Sequence, residues 1–226
     1  MQNINLIGIA GRAGSGKNTV AAMIQKITNS GWQQKAFAGK LKQIASILTG
    51  IPVEKFEDQE FKKSMLGEEW CVTENIRVGE NKYIPRPCPM TIREFLQKLG
   101  TDGLRDGLHE NVWVNALFAD YVINYTQEYD QVIERGVPDY HGPVIPGRIT
   151  NNSSKWIITD TRFPNELQAV KDRGGLTIRL TRNSDVRSDH ISETALDNAE
   201  FDYVIDNKDQ TLEETFESVK EMIDKF

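Results

Sequence analysis

The sequence predicts an α/β fold built on an open, parallel central sheet. Three observations carry that prediction. An apolar run, Ile4-Asn5-Leu6-Ile7-Gly8-Ile9, passes through a glycine-rich turn into the helical pattern Val20-Ala21-Ala22-Met23-Ile24. A second run, Trp156-Ile157-Ile158-Thr159-Asp160, is continuously apolar until it ends in a carboxylate. A third, Leu176-Thr177-Ile178-Arg179-Leu180, precedes a short strand pattern at 201–207 and a final amphipathic helix. Parallel strands covered on both faces read as continuous apolar runs like the second, and the alternation of strands with helical periods marks the class.

The turn between the first strand and first helix reads Gly8-Ile9-Ala10-Gly11-Arg12-Ala13-Gly14-Ser15-Gly16-Lys17-Asn18-Thr19. Strand, glycine turn and helix in that order make a phosphate-binding loop. Gly11, Gly14 and Gly16 let the backbone fold tightly and bring its N–H groups onto phosphate oxygens. The helix N-terminus adds about half a positive charge at the same spot. Lys17 supplies a mobile full charge for the β- and γ-phosphates. A glycine turn with no ligand would leave Lys17 nothing to do that Ala or Glu would not do as well. The generic pattern G-x4-G-K-[ST] is broken at its last position, which is Asn18. Thr19 follows one residue later, about 100° around the helix. The hydroxyl that normally meets Mg²⁺ is therefore missing or displaced.

The bulk numbers narrow the class. One domain is expected from 226 residues, with room for inserted lobes. The balance is acidic, 33 Asp and Glu against 27 Lys and Arg. That argues against a general nucleic-acid coat and for a small-molecule site with local basic groups. Cys71 and Cys88 have no partner at metal spacing, which favours free thiols in a reducing compartment and leaves one disulfide open. No apolar run approaches 18 residues, and the first strand starts at the N-terminus, so neither a membrane span nor a signal peptide is expected.

Taken in order, the first helix is expected over Lys17 to about Thr28, with Val20, Ala21, Ile24 and Ile27 inward and Gly31 beyond its end. Gln34–Ala38 reads as a short strand. Gly39–Leu48 reads as a helix with Leu41, Ile44, Ala45 and Leu48 on one face. Lys40 and Lys42 then sit where a strand ends and a helix starts, the edge that faces the ligand crevice in an open sheet. Residues 51–90 change character, with Pro52, Pro85, Pro87 and Pro89 breaking the pattern. They are expected to form an inserted lobe with a small hairpin, 70–72 against 82–84, around Gly79. Thr91 and Glu94 make a capping box. Ile92, Phe95, Leu96, Leu99 and Leu104 follow on one face, interrupted by Gly100 and Gly103. The next helix is expected over Asn111 to Tyr125, burying Val112, Ala116 and Leu117. Arg93, Arg105 and Trp113 are the residues here that could touch an anion or a base, although spacing alone favours core packing for Trp113.

Residues 134–154, rich in Gly, Pro, Asn and Ser, read as a long flexible loop. Asp160 ends its strand where such enzymes hold Mg²⁺ or its water. Thr161-Arg162-Phe163-Pro164-Asn165-Glu166 follows, with Pro164 suited to a first helical turn. Arg162 and Glu166 can both face the crevice or form an ordinary surface pair. That helix should stop at Gly174-Gly175. Arg182, Arg187, Asp189, His190, Ser192 and Glu193 crowd the segment after the third apolar strand. Two arginines beyond a strand end suit a lid, expected over 182–199, that closes on transferring phosphates. Thr211 and Glu214 form a second capping box, ahead of an inner face of Leu212, Phe216, Val219 and Ile223.

Together the stretches GRAGSGKNTVA, FAGKLK, EFLQKLGTDGLRDGLHENVWVNAL, ITDTRFPNEL, DHISETALD and FDYVIDN resemble the deoxynucleoside monophosphate kinases of bacteriophages. They run in order along nearly the whole chain. In that family the residue after the loop lysine is often Asp or Asn, so Asn18 fits it. The resemblance implies a three-layer P-loop kinase fold, with helices on both faces of the parallel sheet, an inserted acceptor-binding lobe and a lid. It implies that ATP donates its γ-phosphoryl to the 5′-phosphate of a dNMP, with Mg²⁺, in deoxynucleotide biosynthesis. Position by position, Gly11, Ala13, Gly14, Ser15, Gly16, Lys17, Asn18 and Thr19 would bind ATP. Lys17, Arg182 and Arg187 would be catalytic. Lys42, Arg105, Trp113, Asp160, Arg162 and Glu166 would serve the acceptor, and Asp160 with Asn18 the metal. The implied partners are small molecules, with no nucleic acid and no membrane. A homodimer is left open, and the implied location is the cytoplasm, the host's if the protein is phage-encoded. Two other classes compete: another small-molecule P-loop kinase, of the dephospho-coenzyme A or phosphomevalonate type, and an ATP-dependent switch or binding protein. The middle helical block opposes the first, and the crowded arginines oppose the second.

Overall fold

The computed structural model describes residues 4–29, 31–78, 80, 82–121, 154–182 and 194–225. Two compact units divide the chain: 1–35 with 118–226, and 36–117.

The first unit is built on a five-stranded parallel sheet. Its strands are β1 (Leu6–Ala10), β2 (Gln33–Lys35), β5 (Trp156–Thr161), β6 (Leu176–Leu180) and β7 (Tyr203–Ile205), in the order β2-β5-β1-β6-β7. β1 lies between β5, with Ile7 opposite Ile157, and β6, with Ile9 opposite Ile178. The sheet is covered on both faces, and alternation along β1 shows how. Ile7 and Ile9 point to one face, where they pack with Val20, Ala21 and Ile24 of α1 (Lys17–Thr28) and Val219 and Met222 of α6 (Leu212–Ile223). Gly8 points to the other face. A Cβ there would lie 3.0 Å from the Val170 side chain of α5 (Pro164–Lys171). Glycine thus lets α5 approach the sheet, while branched side chains fill the α1 and α6 side. The chain order reverses between β1 and β6, the place where open sheets bind ligands beyond their strand ends. The α/β class, the parallel sheet and the helices on both faces are as the sequence predicts.

Several elements differ in detail. β2 ends at Lys35, not Ala38, because Phe37 already has helical dihedrals ahead of α2 (Ala38–Thr49). Leu48, expected on the inner face of α2, is 49% exposed. In α6 the buried residues are Thr215, Val219 and Met222, while Leu212 is 62% exposed. The inner face is rotated because Thr215 can be buried: its hydroxyl donates to the Thr211 carbonyl at 2.9 Å, so no polar group is stranded.

The second unit holds α2, short 3₁₀ turns, a hairpin and a helical run. Its core gathers Ala45, Phe56, Leu66, Met90, Ile92 and Phe95, with Trp70 edge-on to Phe95 at 5.0 Å. The hairpin strands, β3 (Val72–Arg77) and β4 (Tyr83–Cys88), are longer than the expected 70–72 and 82–84, and the first arm starts later because Trp70 lies in a 3₁₀ turn, where it packs on Phe95. Val78 N–H donates to the Lys82 carbonyl, which makes 78/82, 76/84 and 74/86 the hydrogen-bonded pairs. Pro85 and Pro87, opposite Asn75 and Thr73, fall at non-bonded positions where no N–H is needed. Gly79 lies outside the described residues. Cys71 and Cys88 are both free thiols.

The capping box at Thr91 opens α3 (Ile92–Gln97) as expected, with Thr91 N–H donating to Glu94 at 2.7 Å. Gly100 and Gly103 do not break the helix. Lys98–Asp106 winds as a π-helix instead. α4 (Val112–Phe118) is shorter than expected, since residues 119–121 are not helical, and its most buried residues are Trp113, Val114, Leu117 and Phe118. The expected loop at 134–154 lies outside the described residues except for Ser154. Among the described residues no helix is long and apolar enough to cross a membrane.

Candidate functional site

The site is built at the C-terminal ends of β1, β5 and β6, all within the first unit. After Ala10 the chain turns through Gly11 (φ +153°), Gly14 (φ +78°) and Gly16 (φ +92°) before α1 starts at Lys17. These positive dihedrals explain the glycine spacing. At Gly11 a Cβ would also lie 2.6 Å from Ser15 Oγ and 3.0 Å from the Leu180 carbonyl. Gly16 caps α1 without any side-chain acceptor, and the first turn carries no acidic residue. The positive end of the helix dipole is therefore not offset by any carboxylate of its own first turn.

Lys17 Nζ donates to the carbonyls of Gly11 at 2.6 Å and Arg12 at 2.8 Å, which folds its ammonium over the loop. Ser15 Oγ is buried inside the turn with no hydrogen-bond partner. A glycine cradle of this shape, with a lysine across it and an orphaned hydroxyl within it, fits a phosphate chain. Ala13 and Asn18 lie in the same turn and helix start. Thr19 shares its helix face with Ala22, Met23 and Lys26, along an open groove towards Asp206–Glu221, rather than the pocket around the strand ends.

That pocket, about 250 Å³, is lined by Gly11, Arg12, Arg162, Arg179, Arg182 and Asp197, among others. Four guanidinium groups against one carboxylate make it strongly basic in a protein of net charge −6. Local charge of this sign concentrates anionic ligands. The arginines are held differently. Arg179 donates to the carbonyls of Leu196 (2.9 Å) and Asp197 (3.0 Å) and to the Asp197 carboxylate (3.1 Å). It thereby ties the 194–201 segment to β6. Arg12 reaches the same carboxylate at 3.4 Å. The backbone N–H of Arg182 donates to Asn207 Oδ1 at 3.1 Å, and its side chain is exposed. Arg187 lies outside the described residues, as do Asp189, His190, Ser192 and Glu193.

Arg162 follows β5 and is half-buried. Glu166 is 3% exposed, and its Oε2 accepts the backbone N–H groups of Arg162 (2.8 Å) and Phe163 (3.2 Å). This carboxylate caps α5 and fixes the turn that carries Arg162. Asp160 sits near the end of β5, half-buried. Among the described residues no three His, Cys, Asp or Glu gather as a ready-made metal site. One carboxylate supplemented by phosphate oxygens and water is, however, the ordinary way Mg²⁺ is held beside a nucleotide, and Asp160 fits that donor set.

The remaining candidates belong to the second unit. Lys42 Nζ is paired with Glu57 Oε1 at 2.6 Å. Arg105 is half-buried in the π-helical stretch. Trp113 is 5% exposed and its indole N–H donates to the Gly100 carbonyl at 2.9 Å, so packing is its visible role. Sequence reasoning missed Arg179 and Asn207 as site-building residues. Nothing in local spacing shows that Arg179 grips the segment after it. Asn207 was visible only as the end of a strand-and-turn pattern.

No family model matches the chain. It is similar to a protein of Acanthamoeba polyphaga mimivirus carrying the provisional name deoxynucleotide monophosphate kinase, with 26% identity over 228 residues, 97% of this chain and 96% of that one. The deoxynucleoside-5′-monophosphate kinase of Escherichia phage T5 is 23% identical over 243 residues, 84% of each chain. The deoxynucleotide monophosphate kinase of Enterobacteria phage T4 is 28% identical over 131 residues, 58% of this chain and 44% of its own.

Proposed function

We propose that this chain is an ATP-dependent deoxynucleoside monophosphate kinase, moving the γ-phosphoryl of ATP to the 5′-phosphate of a dNMP to give dNDP and ADP for deoxynucleotide biosynthesis. The observation that carries the reading is the pairing of a glycine cradle on β1–α1 with an arginine-lined pocket at the same sheet edge. Viral relatives named for this activity, matched over most of their length, support it.

The chemistry asks little covalent work of the protein. An oxygen of the acceptor phosphate attacks the γ-phosphorus, the bond to the β–γ bridging oxygen breaks, and ADP leaves with that electron pair. The acceptor oxygen is already anionic at neutral pH, so no catalytic base is required. What the chain supplies is positioning and charge. Backbone N–H groups from Gly11 to Thr19 hold the donor phosphates. Lys17 leaves the Gly11 and Arg12 carbonyls for the β- and γ-oxygens. Arg182, with Arg187, offsets charge developing on the transferred group, an effect worth roughly 10³–10⁵ in rate where one arginine supplies it. Arg162 binds the acceptor phosphate, positioned through the backbone by Glu166. Mg²⁺, when bound, would screen the β- and γ-phosphates, with Asp160 and the Asn18 amide oxygen as its protein-side contacts. Lys42, Arg105 and Trp113 are assigned to the acceptor on the resemblance of their segments alone. The 182–199 segment is proposed as a lid and 51–90 as an inserted lobe of one kinase domain. The reading places the protein in the cytoplasm with two small-molecule substrates.

The test is direct: purified protein, ATP and Mg²⁺, each dNMP and NMP in turn, with products separated. ATP consumption should depend strictly on the added monophosphate. If no monophosphate is phosphorylated, or if ATP is hydrolysed equally without one, the kinase reading fails.

A further inference from the structure

We infer that Asn207 is a positioning residue for the donor-phosphate site: its side-chain amide sets the orientation of the Ser15–Gly16 peptide and couples it to the start of the Arg182 segment. The inference rests on the proposed function and names a determinant of that site outside the loop itself.

Asn207 follows β7, and its side chain is 5% exposed. Nδ2 donates to the Ser15 carbonyl at 2.9 Å, across 192 residues of sequence. Oδ1 accepts the Arg182 backbone N–H at 3.1 Å. Both partners are backbone groups of fixed polarity, so the amide can sit only one way round. Ser15-Gly16 is the last peptide before α1, and no cis peptide occurs among the described residues. In a trans peptide the C=O and N–H point in opposite directions. Holding the Ser15 carbonyl towards Asn207 therefore turns the Gly16 N–H away from it, to the loop side where a phosphate oxygen would accept it. Asn207 Nδ2 is the neighbour a Cβ on Gly16 would touch, at an ordinary contact distance of 3.6 Å. The same amide holds the Arg182 backbone, so the loop and the residue that leaves β6 towards the arginine-lined pocket share one fixed point. A generic acceptor or donor would not serve, because one partner needs an N–H and the other an oxygen.

The test uses full-length protein and ADP as the probe, titrated calorimetrically, with melting followed in parallel. Asn207→Asp keeps the shape and the acceptor but sets a carboxylate against the Ser15 carbonyl. Asn207→Ser keeps a shorter hydroxyl donor. Asn207→Asp should bind ADP about tenfold to a hundredfold more weakly, the range for stranding a buried polar partner. Asn207→Ser should fall between it and wild type, and folding should survive in both. In turnover, the KM for ATP should rise while the KM for the dNMP stays within about twofold. Unchanged ADP affinity in Asn207→Asp overturns the inference. So does an equal rise in both KM values, or a failure of both variants to fold, which would make Asn207 a residue of the fold alone. Wild-type protein that binds ADP yet phosphorylates no monophosphate would remove the kinase reading and leave this inference standing. Wild-type protein that does not bind ADP would overturn both.

Discussion

Replacing Glu166 separates its structural work from the chemistry it was expected to perform. Its carboxylate is 3% exposed and accepts two backbone N–H groups, those of Arg162 and Phe163. Glu166→Ala leaves both donors without this oxygen and opens space beneath α5. A fully buried stranded donor costs about 1–3 kcal/mol, and these two, being partly buried, fall towards the lower end of that range. A net loss of about 2–4 kcal/mol is expected. For a chain of this size that corresponds to a melting temperature lower by roughly 5–15 °C. Glu166→Gln keeps an accepting oxygen and loses only the charge, so its cost should be near about 1 kcal/mol. Thermal melts followed by far-ultraviolet circular dichroism give the order wild type, Gln, Ala. Steady-state kinetics on the Gln variant should show a raised KM for the dNMP if the Arg162 turn loosens. An Ala variant that melts within about 1 °C of wild type would refute the capping argument.

Three further outcomes are expected. Lys17→Ala should lower transfer by at least about 10²–10³, as for removal of one preorganised electrostatic group. The fold should survive, because the contacts described for Lys17 are to loop carbonyls; wild-type turnover in a coupled ADP assay would end its catalytic assignment. Arg162→Ala should raise the KM for the dNMP about tenfold while the KM for ATP barely moves, as expected for one charge-assisted contact; equal dNMP affinity in the two proteins removes Arg162 from the acceptor site. In acid, both capping boxes should fail. The carboxyls of Glu94 and Glu214 are held below the ordinary 4.5, mainly by the backbone N–H groups of Thr91 and Thr211 and then by their hydroxyls. Because the folded values lie below the unfolded ones, this contribution is complete above about pH 4.5 and disappears as pH falls through the lowered values. Urea melts should therefore show a shallower loss of stability between about pH 5 and 3 in the Glu94→Gln, Glu214→Gln double variant; an unchanged slope would contradict it.

Wherever the signal is local and repetitive, the sequence by itself determined the outcome. The glycine spacing before Lys17 dictated a loop that only glycine dihedrals allow. The continuously apolar run at 156–159 read as a buried parallel strand, and 176–180 as the strand that follows it. Thr91 with Glu94, and Thr211 with Glu214, announced their helices because both halves of each cap lie within four residues. The tertiary structure decided whatever depends on partners distant in sequence. Prolines at 85 and 87 look like strand breakers until the register puts both at non-bonded positions. Gly100 and Gly103 look like helix breakers until the chain widens into a π-helix. The class of the opening loop was legible from its own residues. What holds it was not: Asn207 reaches Ser15 across 192 positions, and Arg179 gathers a segment that follows it by 17 and 18. A single hydrogen bond between distant residues leaves no periodicity in a sequence, so only the folded chain could show which amide holds the Ser15 carbonyl.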